Sequence, residues 1–205
     1  MDYPKKSYFK NYVFMIDEHV YEPAEDTFLI ADNMLVTEGE TVLDMGTGCG
    51  ILAVLAAKKT KKVVAVDINP HAIRCASRNA EANNVRSKIE FHQGDLFKSF
   101  KKTDRFSLIL FNSPYLPSDP DEEKTWIGKA WAGGPNGRLI IDKFIEEAPR
   151  WLDYKGEILF VQSSLSNVNR TLEMFNKMNL KAKTIAKVKV PFENIVLIKA
   201  KHEIF

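Results

Sequence analysis

From Thr41 onward, short apolar runs alternate with longer stretches of helical periodicity, and this alternation narrows the fold more than any other feature of the chain. Thr41–Met45, Lys62–Ile68, Ile89–His92, Phe106–Phe111 and Glu157–Val161 read as strands. Between the first three, Ile51–Lys59 and Pro70–Asn83 carry apolar residues at helical spacing, and Pro70 suits a first helical turn. Strands separated by helices predict a mostly parallel sheet with helices on both faces. A run as apolar as Val63–Val66 suits a strand covered on both sides. The C-terminal third differs. Leu139–Trp151 and Ser166–Met178 read as helices, then Lys181–Val190 and Asn194–His202 are joined only by Pro191, Phe192 and Glu193. So short a link predicts an antiparallel hairpin at one sheet edge, which brings the sheet to seven strands. Ahead of residue 41, Tyr12–Asp17 reads as a short strand and Pro23–Leu35 as an amphipathic helix. With no repeat and no long linker, residues 1–205 read as one domain, a lead-in segment over 1–36 followed by a core over 41–205.

Composition removes several alternatives. A chain of 205 residues buries roughly 70% of its unfolded surface and needs no disulfide or metal to hold a core. Two cysteines, Cys49 and Cys75, fit a reducing compartment, and four scattered histidines show no zinc spacing, so no metal is expected. The net charge of +2 gives no electrostatic case for nucleic acid or membrane. Met1–Lys10 lacks the apolar stretch of a secretory signal, and the longest apolar run, Ile51–Ala57, is far short of the roughly 20 residues of a membrane helix. A cytoplasmic protein is expected.

The segment Asp44-Met45-Gly46-Thr47-Gly48-Cys49-Gly50 follows the first core strand and opens a helix, the context in which a glycine loop is informative. A nicotinamide fingerprint counted from Gly46 would place its third glycine at position 51, which is Ile51. The spacing here is G-x-G-x-G with an acid two residues ahead, and a helix N-terminus with no pyrophosphate to cradle can face a carboxylate. S-adenosylmethionine offers a carboxylate, an ammonium and a sulfonium. Asp44 is placed to accept from the ammonium. Asp67, at the end of the next strand, can take both ribose hydroxyls, and Asp95, after Gly94, can accept from the adenine amine. Any one of these acids could merely cap a helix or turn; three at successive strand ends beside a glycine loop point to a nucleoside ligand. Cys49 reads as a small loop residue.

Asn112-Ser113-Pro114-Tyr115 follows the fourth strand of the core, at the end where such sheets bind ligands. Alone it could be a turn. Together, Asp44–Gly50, Asp67 and Asn112–Tyr115 resemble the motifs of class I methyltransferases that act on a planar NH2, with a Rossmann-like fold. That group holds the adenine amino-methyltransferases and the HemK-type glutamine methyltransferases of release factors. Val20-Tyr21-Glu22-Pro23-Ala24-Glu25-Asp26-Thr27, Leu116-Pro117, Trp131-Ala132-Gly133-Gly134 and Asn136-Gly137-Arg138 resemble the archaeal and eukaryotic HemK-like branch. The bacterial enzymes carry an added N-terminal helical domain that the residues before Tyr21 cannot supply.

The resemblance implies methylation of a glutamine amide in a translation termination factor. It implies S-adenosylmethionine held by Tyr21, Pro23, Thr27, Asp44, Gly46, Thr47, Gly48, Gly50, Asp67, Ile68, Asp95, Leu96 and Asn112, with Asn112, Ser113, Pro114 and Tyr115 carrying the transfer. It also implies a small zinc-binding activator protein at the sheet edge near Ile89–His92. Where the family has a first proline, this chain has Ser113. Such a site needs the asparagine oxygen and the next residue's carbonyl as acceptors for the two N–H groups, so position 113 is expected to act through its backbone alone. Tyr115 would stack on the planar group. Base-amine methylation uses the same motif, but the charge balance and the lack of a target-recognition segment weigh against nucleic acid. A non-catalytic donor-binding scaffold subunit is the reading that an intact Asn112 and Tyr115 disfavour. Of the rest, Asp119–Glu123 reads as a solvated face, Trp126 and Trp131 as pocket or packing residues, and the histidines as structural. Arg138 opens a helix against its dipole and calls for a carboxylate partner or a substrate role.

Overall fold

The computed structural model describes residues 5–203. Two strands, β1 (Lys5–Phe9) and β2 (Tyr12–Ile16), form an antiparallel hairpin of their own, followed by α1 (Glu25–Asn33). The alternating core runs β3 (Thr41–Met45), α2 (Ile51–Ala57), β4 (Lys62–Asp67), α3 (Pro70–Ala82), β5 (Ile89–Gln93), β6 (Phe106–Asn112) and α4 (Leu139–Glu147). It closes with β7 (Leu152–Ser163), α5 (Val168–Lys177), β8 (Leu180–Val190) and β9 (Glu193–His202). β3 to β9 build a seven-stranded sheet ordered β5-β4-β3-β6-β7-β9-β8. The pairs β3–β4, β4–β5, β3–β6 and β6–β7 are parallel, whereas β9 runs antiparallel to both β7 and β8. The alternation of apolar runs therefore gives the Rossmann-like, mostly parallel sheet that the sequence implies, with its C-terminal hairpin at one edge.

The sheet is covered on both faces, and that is why its central strands are apolar throughout. One face packs Ile30 and Ala31 of α1, Leu52 and Val54 of α2 and Cys75 of α3 against Val42, Ala65, Leu110 and Val161. The other packs Ile141 and Phe144 of α4 and Phe175 of α5 against Leu43, Val66, Phe111 and Phe160, with aromatic rings 4.5 Å apart between Phe111 and Phe144. α3 begins as its sequence directs: Asn69 caps it by accepting from the His71 N–H at 2.9 Å, with Pro70 in the first turn.

Several elements differ from the sequence reading. β1 lies in a stretch whose lysines mask it; only Ser7 and Phe9 of the strand are buried, so the apolar signal is thin. α4 stops at Glu147, because Pro149 turns Ala148–Arg150 into a 3-10 turn. The strand read over Glu157–Val161 is β7, which starts at Leu152 and carries an irregularity against β6 between Phe106 and Leu108. α5 begins at Val168, after a 3-10 turn over Ser164–Ser166, with the Asn167 side chain accepting from the Arg170 N–H at 3.1 Å. The helix read over Pro23–Leu35 is confined to Glu25–Asn33.

One side chain, that of Asn79, makes three hydrogen bonds where the hairpin meets the core. Asn79 of α3, 1% exposed, accepts from the Met15 N–H at 2.8 Å and donates to the carbonyls of Met15 and Cys49, both at 2.8 Å. Asp17 adds an ion pair to Arg78.

Candidate active site

At the C-terminal ends of β3, β4 and β6 lies a cavity of about 660 Å³, within the range of small-molecule sites. The glycine loop forms its floor. Gly46 and Gly48 hold φ of +67° and +56°, a region that only glycine enters readily, and nothing stands within 4 Å of where a Gly48 Cβ would point. Gly50 is different. Although the sequence places it with the donor-binding residues, it does not line the cavity; a Cβ there would meet Ala76 Cα of α3 at 2.9 Å. Its role is to let α2 and α3 close.

The three strand-end acids line the cavity, each with bonds already made. Asp44, 1% exposed, accepts from Thr47 Oγ1 at 2.7 Å and the Ala53 N–H at 3.0 Å, both on Oδ2. Burial pushes its carboxyl up to about 7 against the pull of those two bonds. Asp67 accepts from the Gly48 N–H on one oxygen and the Asn69 N–H on the other, both at 2.9 Å, so it ties the loop to the end of β4. Burial raises its carboxyl also. Asp95 is half-exposed and paired with Lys98 at 2.5 Å. Ile68, Leu96, Pro23 and Tyr21 complete this end. Cys49 lines the cavity as a buried thiol pushed well up by burial, a packing residue.

At the other end sit Asn112, Ser113, Pro114 and Tyr115. Asn112 Nδ2 donates to Thr27 Oγ1 at 3.0 Å, and its Oδ1 is buried with no hydrogen-bond partner. A buried acceptor without a donor costs about 1–3 kcal/mol, so this oxygen is held ready for a donor absent from the chain itself. The Ser113 hydroxyl, 2% exposed with its residue, donates to the Val161 carbonyl of β7 at 2.8 Å, a contact within the fold that stands beside the role in transfer expected of its backbone carbonyl. Tyr115 donates from its hydroxyl to Asp26 Oδ2 at 3.0 Å, and burial beside that carboxylate drives its hydroxyl far above the ordinary tyrosine range.

Asp26 is the residue that sequence reasoning missed. It stands in the first turn of α1, where an acid reads as a response to the helix dipole. It is 5% exposed and accepts from Tyr21 Oη at 3.0 Å as well as from Tyr115. Thr27, by contrast, was legible, and it is the link between α1 and Asn112. The long segment after β6 folds back on itself: Leu116 and Ala132 bridge, and the Gly133 N–H donates to the Leu116 carbonyl at 2.8 Å. A Cβ on Gly137 would overlap the Tyr115 carbonyl, which explains the glycines of Trp131–Arg138. Trp126 and Trp131 line the cavity, Trp126 lying 6.4 Å from His71, which meets His19 edge-on. Arg138 does not reach the cavity; 3% exposed, it pairs with Asp142 at 2.7 Å and donates to Thr171 Oγ1 at 3.0 Å, the carboxylate partner its position calls for. Glu123 of the acidic run lines the rim, while Asp119 and Asp121 are exposed. Among the described residues no cluster of histidine, cysteine or acids is arranged for a metal, and no helix is long and apolar enough to cross a membrane.

A doubly wound sheet with a glycine loop, strand-end acids and an unpaired asparagine acceptor defines a methyltransferase of the Rossmann-like class. The family of ribosomal protein L11 methyltransferases (PrmA) matches residues 27–112, the segment holding the glycine loop. Over 183 residues the chain is 42% identical to a Methanocaldococcus jannaschii protein assigned by name to the protein N5-glutamine methyltransferases, covering 88% of this chain and 91% of that one. It is 31% identical to human methyltransferase HEMK2 over 191 residues, 88% of each chain. The chain belongs to this family, the HemK-type protein glutamine methyltransferases. It covers 60% of a release factor glutamine methyltransferase of Geobacter sulfurreducens, at 31% identity over 80% of its own length. In fold it is similar to a chain of the Encephalitozoon (E. cuniculi) Mtq2–Trm112 complex described as responsible for methylating the termination factor eRF1, with a TM-score of 0.71 at 22% identity over 90% of this chain and 99% of that chain.

Proposed function

We propose that this protein methylates the side-chain amide nitrogen of a glutamine in a translation termination factor, with S-adenosylmethionine as donor. The observation that carries the reading is the buried, unpartnered Oδ1 of Asn112 at the cavity wall. An amide nitrogen is a poor nucleophile because its lone pair belongs to the π system. What this site supplies is position and acceptor dipoles, in a pocket shielded from water. Asn112 Oδ1 takes one N–H of the target, the carbonyl of Ser113 takes the other, and the Tyr115 ring covers the planar face. The residues fit the donor: glycines and carboxylates line one end, and the cavity is large enough for a nucleoside joined to an amino acid. Asp44 faces the ammonium and Asp67 the ribose in this reading. When bound, S-adenosylmethionine supplies a methyl group on a positively charged sulfur. The names of the relatives point to the same substrate.

The reading includes a small zinc-binding activator at β5. Among the described residues that strand has β4 as its one neighbour, so its outer side is an open edge for strand addition. A cytoplasmic location accords with two free cysteines. Labelled S-adenosylmethionine offered with termination factor, tRNA, rRNA and DNA, with and without activator, tests the whole. Label on the factor, lost when its target glutamine is replaced, is expected. Label on nucleic acid alone overturns the substrate assignment.

A further inference from the structure

We infer that Asp26 sets the polarity of the acceptor pocket and thereby its choice of a carboxamide over a carboxylic acid; the inference rests on transfer to a planar NH2 as proposed above. Asp26 is 5% exposed, and no cation pairs with it among the described residues. It instead receives four donors. Oδ1 accepts from the Thr27 N–H at 2.6 Å and from Thr27 Oγ1 at 3.2 Å, and Oδ2 accepts from Tyr21 Oη and Tyr115 Oη, each at 3.0 Å. A first-turn acid that served only its helix would not need two tyrosines, one of them 89 residues away in the acceptor motif.

A carboxylate only accepts hydrogen bonds. The single hydroxyl hydrogen of Thr27 is therefore committed to Asp26, and the lone pairs of Thr27 Oγ1 face Asn112. They take the Asn112 Nδ2 donor at 3.0 Å, and Oδ1 is left as the unpaired group at the cavity wall. One carboxylate thus decides which end of the asparagine amide meets the substrate. A pocket that presents an acceptor suits the NH2 of a glutamine and leaves a glutamate, which has no hydrogen to give, facing like partial charge. If position 26 could donate, Thr27 could turn its hydrogen toward Asn112, the amide could rotate, and the pocket would present N–H instead. The same carboxylate anchors the Tyr115 hydroxyl, so both side chains of the acceptor motif answer to it. Asp26 is a positioning residue: it touches the groups that touch the substrate.

The test uses the protein with its activator and two peptides that differ only in Gln or Glu at the target position. Asp26→Asn should lower kcat on the glutamine peptide by about a hundredfold, the scale of losing one preorganised polar contact, with donor affinity within about threefold of wild type by calorimetry. Its preference for binding the Gln over the Glu peptide should shrink by about tenfold or more, since the buried polar group that enforced it has changed sign. Thr27→Ser keeps the hydroxyl and should retain the preference; Thr27→Val removes it and should lose it. Should Asp26→Asn fail to fold, the Thr27 pair decides. An Asp26→Asn protein of wild-type melting temperature with an unchanged Gln/Glu preference overturns the inference, as does a Thr27→Val protein that keeps it. If wild type transfers no methyl to glutamine, the substrate assignment fails separately, because the binding ratio still reports the polarity of the pocket.

Discussion

Asn112 makes one hydrogen bond with its nitrogen and none with its oxygen, and that asymmetry leads to the sharpest expectation at the scale of single residues. Asn112→Ala should reduce single-turnover transfer by about a hundredfold or more, while donor affinity moves little; transfer within threefold of wild type would remove it from the reaction. Asp67→Ala should act on the other step. Losing a charged acceptor costs about 1.5–3 kcal/mol per hydrogen bond, tenfold or more in donor affinity, and calorimetry reads it directly. Asp44 adds a pH dependence. Its carboxyl is raised from an ordinary 3.8 to about 7, so between those values the folded protein holds a proton that the unfolded chain has lost. Stability contributed by this group therefore falls as pH rises through that window and is fully lost above about 7. A cationic donor ammonium beside it favours the ionised form. Donor affinity should rise with pH toward 7 and then level, and Asp44→Asn should flatten the profile. For Ser113, the hydroxyl bond to Val161 serves the fold, and the role in transfer is assigned to the backbone carbonyl. Ser113→Ala should cost about 1 kcal/mol in a denaturant titration while leaving transfer within a few-fold. The acids and Asn112 were legible because chemistry fixes their type and strand ends fix their place. Asp26 was not, because its partners lie 5 and 89 residues away and no local pattern marks a hydrogen-bond hub.

At the scale of elements, legibility followed burial. β3, β4 and β6 are largely apolar on both sides and stood out; β1, whose buried positions are only Ser7 and Phe9, did not. The N-terminal hairpin is a sheet apart from the seven-stranded one, a separation that strand patterning does not encode. Boundaries shifted where a proline or a cap outweighed periodicity, as at Pro149 and Asn167. The contact of α2 with α3 gives the element-scale prediction. Gly50 combines φ of +85° with a Cβ position 2.8 Å from Ala76 Cβ. Gly50→Ala should destabilise the fold by roughly 1–3 kcal/mol through overpacking, and donor affinity should drop with it because the loop shifts. A melting temperature unchanged in that variant would show that the helices can part at no cost.

At the scale of the whole molecule, the seven-stranded sheet has two unlike edges, β5 and β8. β8 sets Lys181, Lys183, Lys187 and Lys189 along its length, all exposed, and a register shift between Thr184 and Ala186 breaks its regularity. Charged side chains and bulges are how edge strands resist pairing. β5 is short, with Phe91 half-buried beneath the Arg86 guanidinium at 4.8 Å and a hydrogen bond between His92 Nε2 and Glu90 Oε1 at 2.7 Å. A partner that adds a strand should therefore choose β5. If the proposed activator pairs there, Phe91→Pro should weaken the one-to-one complex, read by analytical ultracentrifugation, whereas proline at the same depth in β8 should not.

Asn79 places these parts in time as well as in space. The ribosome makes Met15, Asp26 and Thr27 early, yet their partners Asn79, Tyr115 and Asn112 follow 64, 89 and 85 residues later. Contacts so distant in sequence form late. During synthesis Met15 has no Asn79 to bond until α3 has emerged, and the acceptor pocket has no polarity until β6 is complete. The first part of the site to be made is thus among the last to be seated. In the proposed reading, a growing chain acquires the glycine loop that faces the methyl donor before it has made Asn112 and Tyr115 to position the acceptor.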